Sequence, residues 1–339
     1  MTKADYLREL EECRLCEWRC GVNRLAGERG VCRMTLPAVA SAQLHPAPPE
    51  SYTIFVAGCN FKCLNCQNWS ISTYPDQKAA IRGFVEPERL AAESVRALRS
   101  AAGRAMGADR IFFSGGEPTI HLPYIERVVA SARETDPQVK VNFDTNGFLT
   151  EESLRRVLAF STSITYDLKA YHDEVFRALT GAFVEPVLRN AETIGRTAKA
   201  QLWEFRILVI PGINEEEIAP LCEFIAGIDR SLPVCFLCFR PNFVLERHPG
   251  VKAELMERCV EIAGECGLEN VHWSGLPGLW QGRRPVVYNE LKAGYEREGA
   301  RVAASYAHAA GCVTHPRDCG VCPRNQECRL KSYPPQIVT

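Results

Sequence analysis

The sequence predicts an α/β fold, a partial (β/α)6 barrel with parallel strands, extended at both ends by small cysteine-rich segments. Three observations carry this expectation. From residue 52 onward, six short apolar runs alternate with amphipathic helical stretches, the pattern of a parallel sheet covered by helices. Glycines and polar side chains recur at the carboxyl ends of those runs, where sites gather in this architecture. Cysteines cluster before and after the alternating region.

The 339 residues exceed one typical domain, yet a barrel with additions fills them. The expected division is a Cys-rich segment over 1–50, the barrel over 51–284, and a helix with a second Cys-rich segment over 285–339. Apolar residues make up 46% and the formal net charge is −1, so bulk electrostatics give no reason to expect nucleic acid. No apolar run approaches the roughly 20 residues that span a bilayer, and no membrane association is expected. Residues 1–10 are polar and charged rather than an apolar export signal, which points to a cytoplasmic protein. In a reducing compartment, sixteen cysteines read as metal ligands and buried thiols rather than disulfides.

Along the chain, a short charged helix leads into Cys13-x2-Cys16-x3-Cys20, a turn with Gly27 and Gly30, and Cys32. The Pro-rich run His45-Pro-Ala-Pro-Pro-Glu50 reads as a linker. Strands are expected over 52–57, 110–114, 140–143, 163–167, 202–210 and 234–239. Helices are expected over 88–106, 123–134, 184–194, 215–228 and 251–266, and from Val286 to about His308. The chain closes with Cys312-x6-Cys319-x2-Cys322-x5-Cys328.

The strand ends carry the chemistry. After the first strand comes Gly58-Cys59-Asn-Phe-Lys-Cys63-Leu-Asn-Cys66. Three thiolates on one tight loop suit three irons of a [4Fe–4S] cube, whereas clusters ordinarily take four cysteines, so the fourth iron would be open to a small molecule. Such a cube is oxygen-sensitive, and an anaerobic setting is expected. Ser114-Gly-Gly-Glu-Pro118 offers close backbone approach at Gly115 and Gly116 and a carboxylate at Glu117. Asp144-Thr-Asn-Gly147 and Asp167-Leu-Lys169 follow, the latter placing a carboxylate and an ammonium on one strand face. Ile210-Pro-Gly-Ile-Asn214 and Arg240-Pro-Asn242 close the series.

Taken together, these motifs resemble the radical S-adenosylmethionine (SAM) superfamily over about residues 52–245, and within it the group around pyruvate formate-lyase activating enzyme. The resemblance implies that Cys59, Cys63 and Cys66 bind the cube and that SAM chelates its open iron through amino and carboxylate groups. It places Gly115, Gly116 and Glu117 at the amino group, and Asp167 and Lys169 around the carboxylate and ribose. Asp144 and Asp167 correspond to positions that hold a monovalent cation in some activating enzymes. Asn214 and Arg240 complete the expected cofactor-binding set. One departure is Asn65, where the family usually carries an aromatic residue. The implied chemistry is reductive cleavage of SAM to a 5′-deoxyadenosyl radical that takes hydrogen from a substrate carbon.

The outer sets, Cys13, Cys16, Cys20 and Cys32, and Cys312, Cys319, Cys322 and Cys328, each contain the four thiols that close an auxiliary iron–sulfur or zinc site. Buried or vestigial thiols are the alternative, and His315 is a further candidate ligand in the second set. Cys222, Cys259 and Cys266 read as core, and Cys235 and Cys238 occupy opposite faces of the sixth strand. The group's members often act on a residue inside a peptide or protein, supplied with electrons by a ferredoxin or flavodoxin. The extra cysteine sets favour C-methylation through cobalamin, as in the methyltransferase that modifies a glutamine of methyl-coenzyme M reductase. A glycyl-radical activase is the alternative, and a non-catalytic zinc or nucleic-acid-binding module the contrasting class.

Overall fold

In a computed structural model, residues 3–77, 79–278, 282, 283, 285, 287, 291 and 294–336 are described. The chain divides into two units, Met1–Asn60 with Asn68–Thr165, and Phe61–Gln67 with Tyr166–Thr339.

The first unit is built on β1 (Val39–His45), β2 (Ser51–Val56), β3 (Arg110–Gly115) and β4 (Lys140–Thr145), hydrogen-bonded in chain order. β1 runs antiparallel to β2, while β2, β3 and β4 are parallel. Register places Ile54 beside Phe113 and Phe113 beside Phe143, and all three are fully buried. Leu90 and Val95 of α1 (Pro87–Leu98) and Ile125, Val128 and Ala132 of α2 (Leu122–Thr135) are buried on the helical side of this core. Buried positions recur at i, i+3, i+4 and i+7 from Pro87 on α1 (87, 90, 91 and 94) and at i, i+3 and i+7 from Ile125 on α2, which makes each helix amphipathic. α1 starts at Pro87, a favoured first helical position. The single helix expected over 88–106 is split, because Ser100 caps a separate turn by accepting from the Gly103 amide at 3.0 Å. α3 (Glu151–Phe160) follows β4, capped by Thr150, whose Oγ1 accepts from the Ser153 amide at 3.2 Å.

The boundary between the units falls within β5 (Ser163–Leu168). The second unit continues through α4 (Asp173–Thr180), α5 (Glu185–Thr197), β6 (Leu202–Val209), α6 (Ile218–Ile228), β7 (Val234–Cys238), α7 (Ala253–Glu265), β8 (Val271–Ser274) and α8 (Glu298–Ala309). β6, β7 and β8 are parallel neighbours. Tyr166 and Phe205 meet edge to face at 5.7 Å between ring centres, within its core.

The α/β class with parallel strands and helical crossovers is the one expected, that of a partial barrel, and β2 to β7 coincide with the six expected strands. The differences are specific. Residues 39–45 pair as β1 rather than leading loosely into a linker, so His45 ends a strand. β8, α3 and α4 were not anticipated. The last helix begins at Glu298, and much of the expected stretch from Val286 (286, 288–290, 292 and 293) lies outside the described residues. Among the described residues, no helix is long and apolar enough to cross a membrane.

Candidate functional site

The first unit holds Cys59 and the turns after β3 and β4. Gly58 takes φ +81°, and its carbonyl accepts from the Glu117 amide at 3.0 Å. A Cβ on Gly116 would lie 1.8 Å from that same carbonyl oxygen, so only glycine lets the two turns meet. His121 donates through Nε2 to the Ala57 carbonyl at 2.7 Å. Burial, and then Arg24, push this imidazole down to about 3, so it stays neutral. Asn146 Nδ2 donates to Asn60 Oδ1 at 2.8 Å and lies 3.9 Å from Cys59 Sγ. Ser114 Oγ donates to Asp144 Oδ2 at 2.6 Å.

Glu117 is fully buried and turned inward. Its Oε1 accepts from the Thr119 amide, the Thr119 hydroxyl and the Thr145 hydroxyl at 3.0, 2.6 and 2.8 Å. Its Oε2 accepts from the Asn146 amide at 2.8 Å. Burial raises its carboxyl to about 7, against the pull of these bonds. The side chain therefore ties the β3 turn to the β4 turn. Gly115 takes φ +114°, and its carbonyl accepts from Asn68 Nδ2 at 2.8 Å.

Cys63 and Cys66 belong to the second unit. Their loop is tied down by main-chain bonds: the Lys62 amide to the Thr180 carbonyl at 2.9 Å and the Leu64 amide to the Leu179 carbonyl at 3.1 Å. Asp167 and Lys169 pair at 3.1 Å. Burial works against the Lys169 ammonium, but Asp167 and then the Cys63 thiol keep it above its ordinary value. Burial pushes the Cys63 thiol up to about 12, with Lys169 the largest opposing influence. A metal must displace that proton to bind. Asn214 donates to the Lys169 and Leu208 carbonyls at 2.9 and 2.7 Å and accepts from the Ile210 amide at 2.7 Å. It thus fixes the backbone beneath Lys169. Arg240 is exposed just beyond β7.

No disulfide joins any of the sixteen cysteines, all of which are described residues. Cys13, Cys16, Cys20 and Cys32 line one cavity together with Arg24 and Ile120. In the second unit, the Cys319 amide donates to the Gly181 carbonyl at 2.8 Å, and Thr314 Oγ1 donates to Cys322 Sγ at 3.2 Å. Burial works against the Arg317 guanidinium, but the nearby Cys312, Cys319 and Cys328 side chains help hold it above its ordinary value. His315 spends Nε2 on the Cys312 carbonyl and Nδ1 on the Tyr295 hydroxyl, both at 3.2 Å. Cys222 and Cys259 are core residues, as expected. Among the described residues, Glu204, Cys235 and His272 bring ligand atoms within 4.8 Å of one another, although Glu204 already accepts from Arg206 at 2.7 Å.

Sequence reasoning passed over His121, Asn146 and Asn60 beside Cys59. The Thr-Asn of the β4 turn was the only local signal for them.

The Radical SAM superfamily model matches residues 53–225, more than half of the chain, and the chain belongs to that superfamily. An uncharacterised protein of Methanocaldococcus jannaschii is 26% identical over 308 residues, 82% of this chain and 86% of that protein. Pyruvate formate-lyase-activating enzyme of Staphylococcus aureus is 25% identical over 205 residues, 57% of this chain and 76% of that enzyme. Among solved structures, Streptococcus suis SuiB bound to S-adenosylmethionine gives a TM-score of 0.47 at 17% identity, covering 64% of this chain and 48% of SuiB. Membership implies a [4Fe–4S] cluster and SAM as cofactors. Thiols outside any disulfide at the three loop positions, and a turn in which a Cβ would collide with Gly58, fit both groups.

Proposed function

We propose that this radical SAM enzyme abstracts hydrogen from a carbon of a residue in a peptide or protein. The close backbone approach of Gly116 to Gly58 beside Cys59 supports a SAM turn set against the first cysteine, and the relationship to pyruvate formate-lyase-activating enzyme supports the substrate class. When bound, the cluster supplies the electron that splits the SAM sulfonium and frees a 5′-deoxyadenosyl radical.

The chain's own residues bind, orient and screen. Cys59, Cys63 and Cys66 would hold the cluster, as the superfamily's three-cysteine loop implies. Gly115 and Gly116 offer backbone groups to the amino acid end, while Glu117 locks their turn from within. Lys169, paired with Asp167, supplies a cation for the carboxylate, and Asp144 and Asp167 supply acceptors for hydroxyls or a small cation. Asn214 holds the Lys169 backbone, and Arg240, exposed just beyond β7, is assigned to an anionic group of SAM by this reading alone.

Activation of a partner protein has one specific observation behind it, the relationship to an enzyme named for activating pyruvate formate-lyase. Cobalamin-dependent C-methylation, the other reading, is motivated by the two additional cysteine sets. A ferredoxin or flavodoxin is the fitting electron donor. The test is anaerobic reconstitution with SAM, a reductant and candidate peptides. A stable glycyl radical on a partner supports activation, and a mass gain of one methyl with cobalamin absorbance supports methylation. 5′-Deoxyadenosine whose formation no peptide or protein stimulates would overturn the proposed substrate class.

A further inference from the structure

The amino-terminal cysteines sit around a buried cation. Arg24 is 1% exposed. Its Nε donates to the Thr35 carbonyl at 2.8 Å, and its Nη1 donates to the Ile120 carbonyl at 2.6 Å and lies 3.6 Å from Cys13 Sγ. Its Nη2 is buried without a hydrogen-bond partner. A buried guanidinium donor left unmade is costly, and a buried positive charge demands an anion. No carboxylate lines the cavity that Arg24 shares with Cys13, Cys16, Cys20 and Cys32. Four thiolates around a metal carry the missing negative charge.

The backbone is shaped for the same end. Gly21 and Gly27 take φ +64° and +90°, and Arg19 takes +43°. A Cβ on Gly30 would fall 2.6 Å from Cys20 Sγ. The chain thus folds back on itself and brings thiols separated by up to nineteen positions to one cavity. The segment also meets the radical loop within its own unit. Trp18, between Cys16 and Cys20, donates through Nε1 to the carbonyl of Asn60 at 2.9 Å, immediately after Cys59. Arg24 reaches Ile120 just beyond the Gly-Gly-Glu-Pro turn.

We propose that Cys13, Cys16, Cys20 and Cys32 hold a tetrathiolate metal centre, with Arg24 as its buried counter-ion, packed against the start of the radical loop. The metal is iron with sulfide, because no three of these described thiols come within 4.8 Å of one another as a single zinc requires, whereas a cube holds its four thiolates further apart.

The test uses the full-length protein purified anaerobically, in a background of Cys59→Ala, Cys63→Ala and Cys66→Ala that removes the radical cluster. Iron, sulfide and zinc are measured with and without added Cys16→Ser and Cys32→Ser. The expected result is the loss of about four irons with about four sulfides per chain. Loss of zinc without loss of iron overturns the assignment of a cluster. Unchanged metal in a variant that keeps its circular dichroism overturns the proposal.

Should that variant fail to fold, Arg24→Met and Arg24→Lys provide an independent readout. The methionine variant is expected to release the centre to a chelator at least tenfold faster, with lysine restoring part of the retention. Equal release from wild type and Arg24→Met would remove the counter-ion role.

Discussion

Arg317 Nη2 donates to the carbonyl of Lys62 at 2.8 Å, joining the carboxy-terminal cysteine segment to the loop that carries Cys63. Nη1 of the same guanidinium donates to the Ala178 carbonyl at 2.7 Å, so one buried side chain anchors the loop and the end of α4 together. The charge also favours the Cys63 thiolate. Arg317→Met should leave two buried carbonyls unmatched, at about 1–3 kcal/mol each. The expected outcome is a lower denaturation midpoint and faster iron loss from the radical loop, measured as iron per chain over time. Arg317→Lys should recover only part, since an ammonium lacks the guanidinium fork.

Gly116→Ala should abolish SAM binding while leaving the β6–β8 strands of the second unit intact. The added methyl would meet the Gly58 carbonyl at 1.8 Å, so the turn must move away from Cys59. Equilibrium binding of SAM to the reconstituted protein and circular dichroism separate these two effects.

The Glu117 carboxyl makes stability depend on pH. Its folded value is about 7, raised by burial above the ordinary 4.5 of a glutamate, so the folded state binds the proton more tightly than the unfolded chain. Its contribution is fully present below about pH 4.5 and is lost as pH rises through 7, amounting to about 3 kcal/mol. Glu117→Gln should flatten this slope between pH 5 and 7.5. It should also lower stability outright, because an amide nitrogen replaces an acceptor that faces Thr119, Thr145 or Asn146. Urea midpoints across that pH range test both effects.

Lys169→Met should weaken SAM binding about tenfold or more, equivalent to about 1.4 kcal/mol, by removing the cation paired with Asp167. The fold should be retained, because Asn214 grips the Lys169 carbonyl rather than its side chain. Asn214→Ala should instead lower stability and SAM affinity together. Thermal melts alongside SAM titrations distinguish the two variants.

The strands that position the site were legible because β2 to β7 are short apolar runs ended by glycine or charge. β1 escaped because Val39-Ala-Ser-Ala-Gln-Leu-His45 mixes small and polar residues and leads into prolines. β8 is only four residues long, none of them buried. α3 did carry a readable signal, Thr150 followed by Glu151 and Glu152 and then Leu154, Val157 and Phe160. The glycines of the β3 turn were legible as close-approach positions. The inward turn of Glu117 was not, since two of its partners lie 28 and 29 residues away. Arg24 and Arg317 were equally silent, because they bond carbonyls 96 and 255 residues distant. Local patterns reveal strand ends, while long-range burial decides which charged residue becomes scaffold.

The central claim is tested most directly by measuring 5′-deoxyadenosine after anaerobic reconstitution, with SAM and a strong reductant. Wild-type protein should form it, and protein carrying Cys59→Ala, Cys63→Ala and Cys66→Ala should form none while keeping its fold. Equal yields from the two proteins, or none from wild type with its cluster fully loaded, would contradict the account.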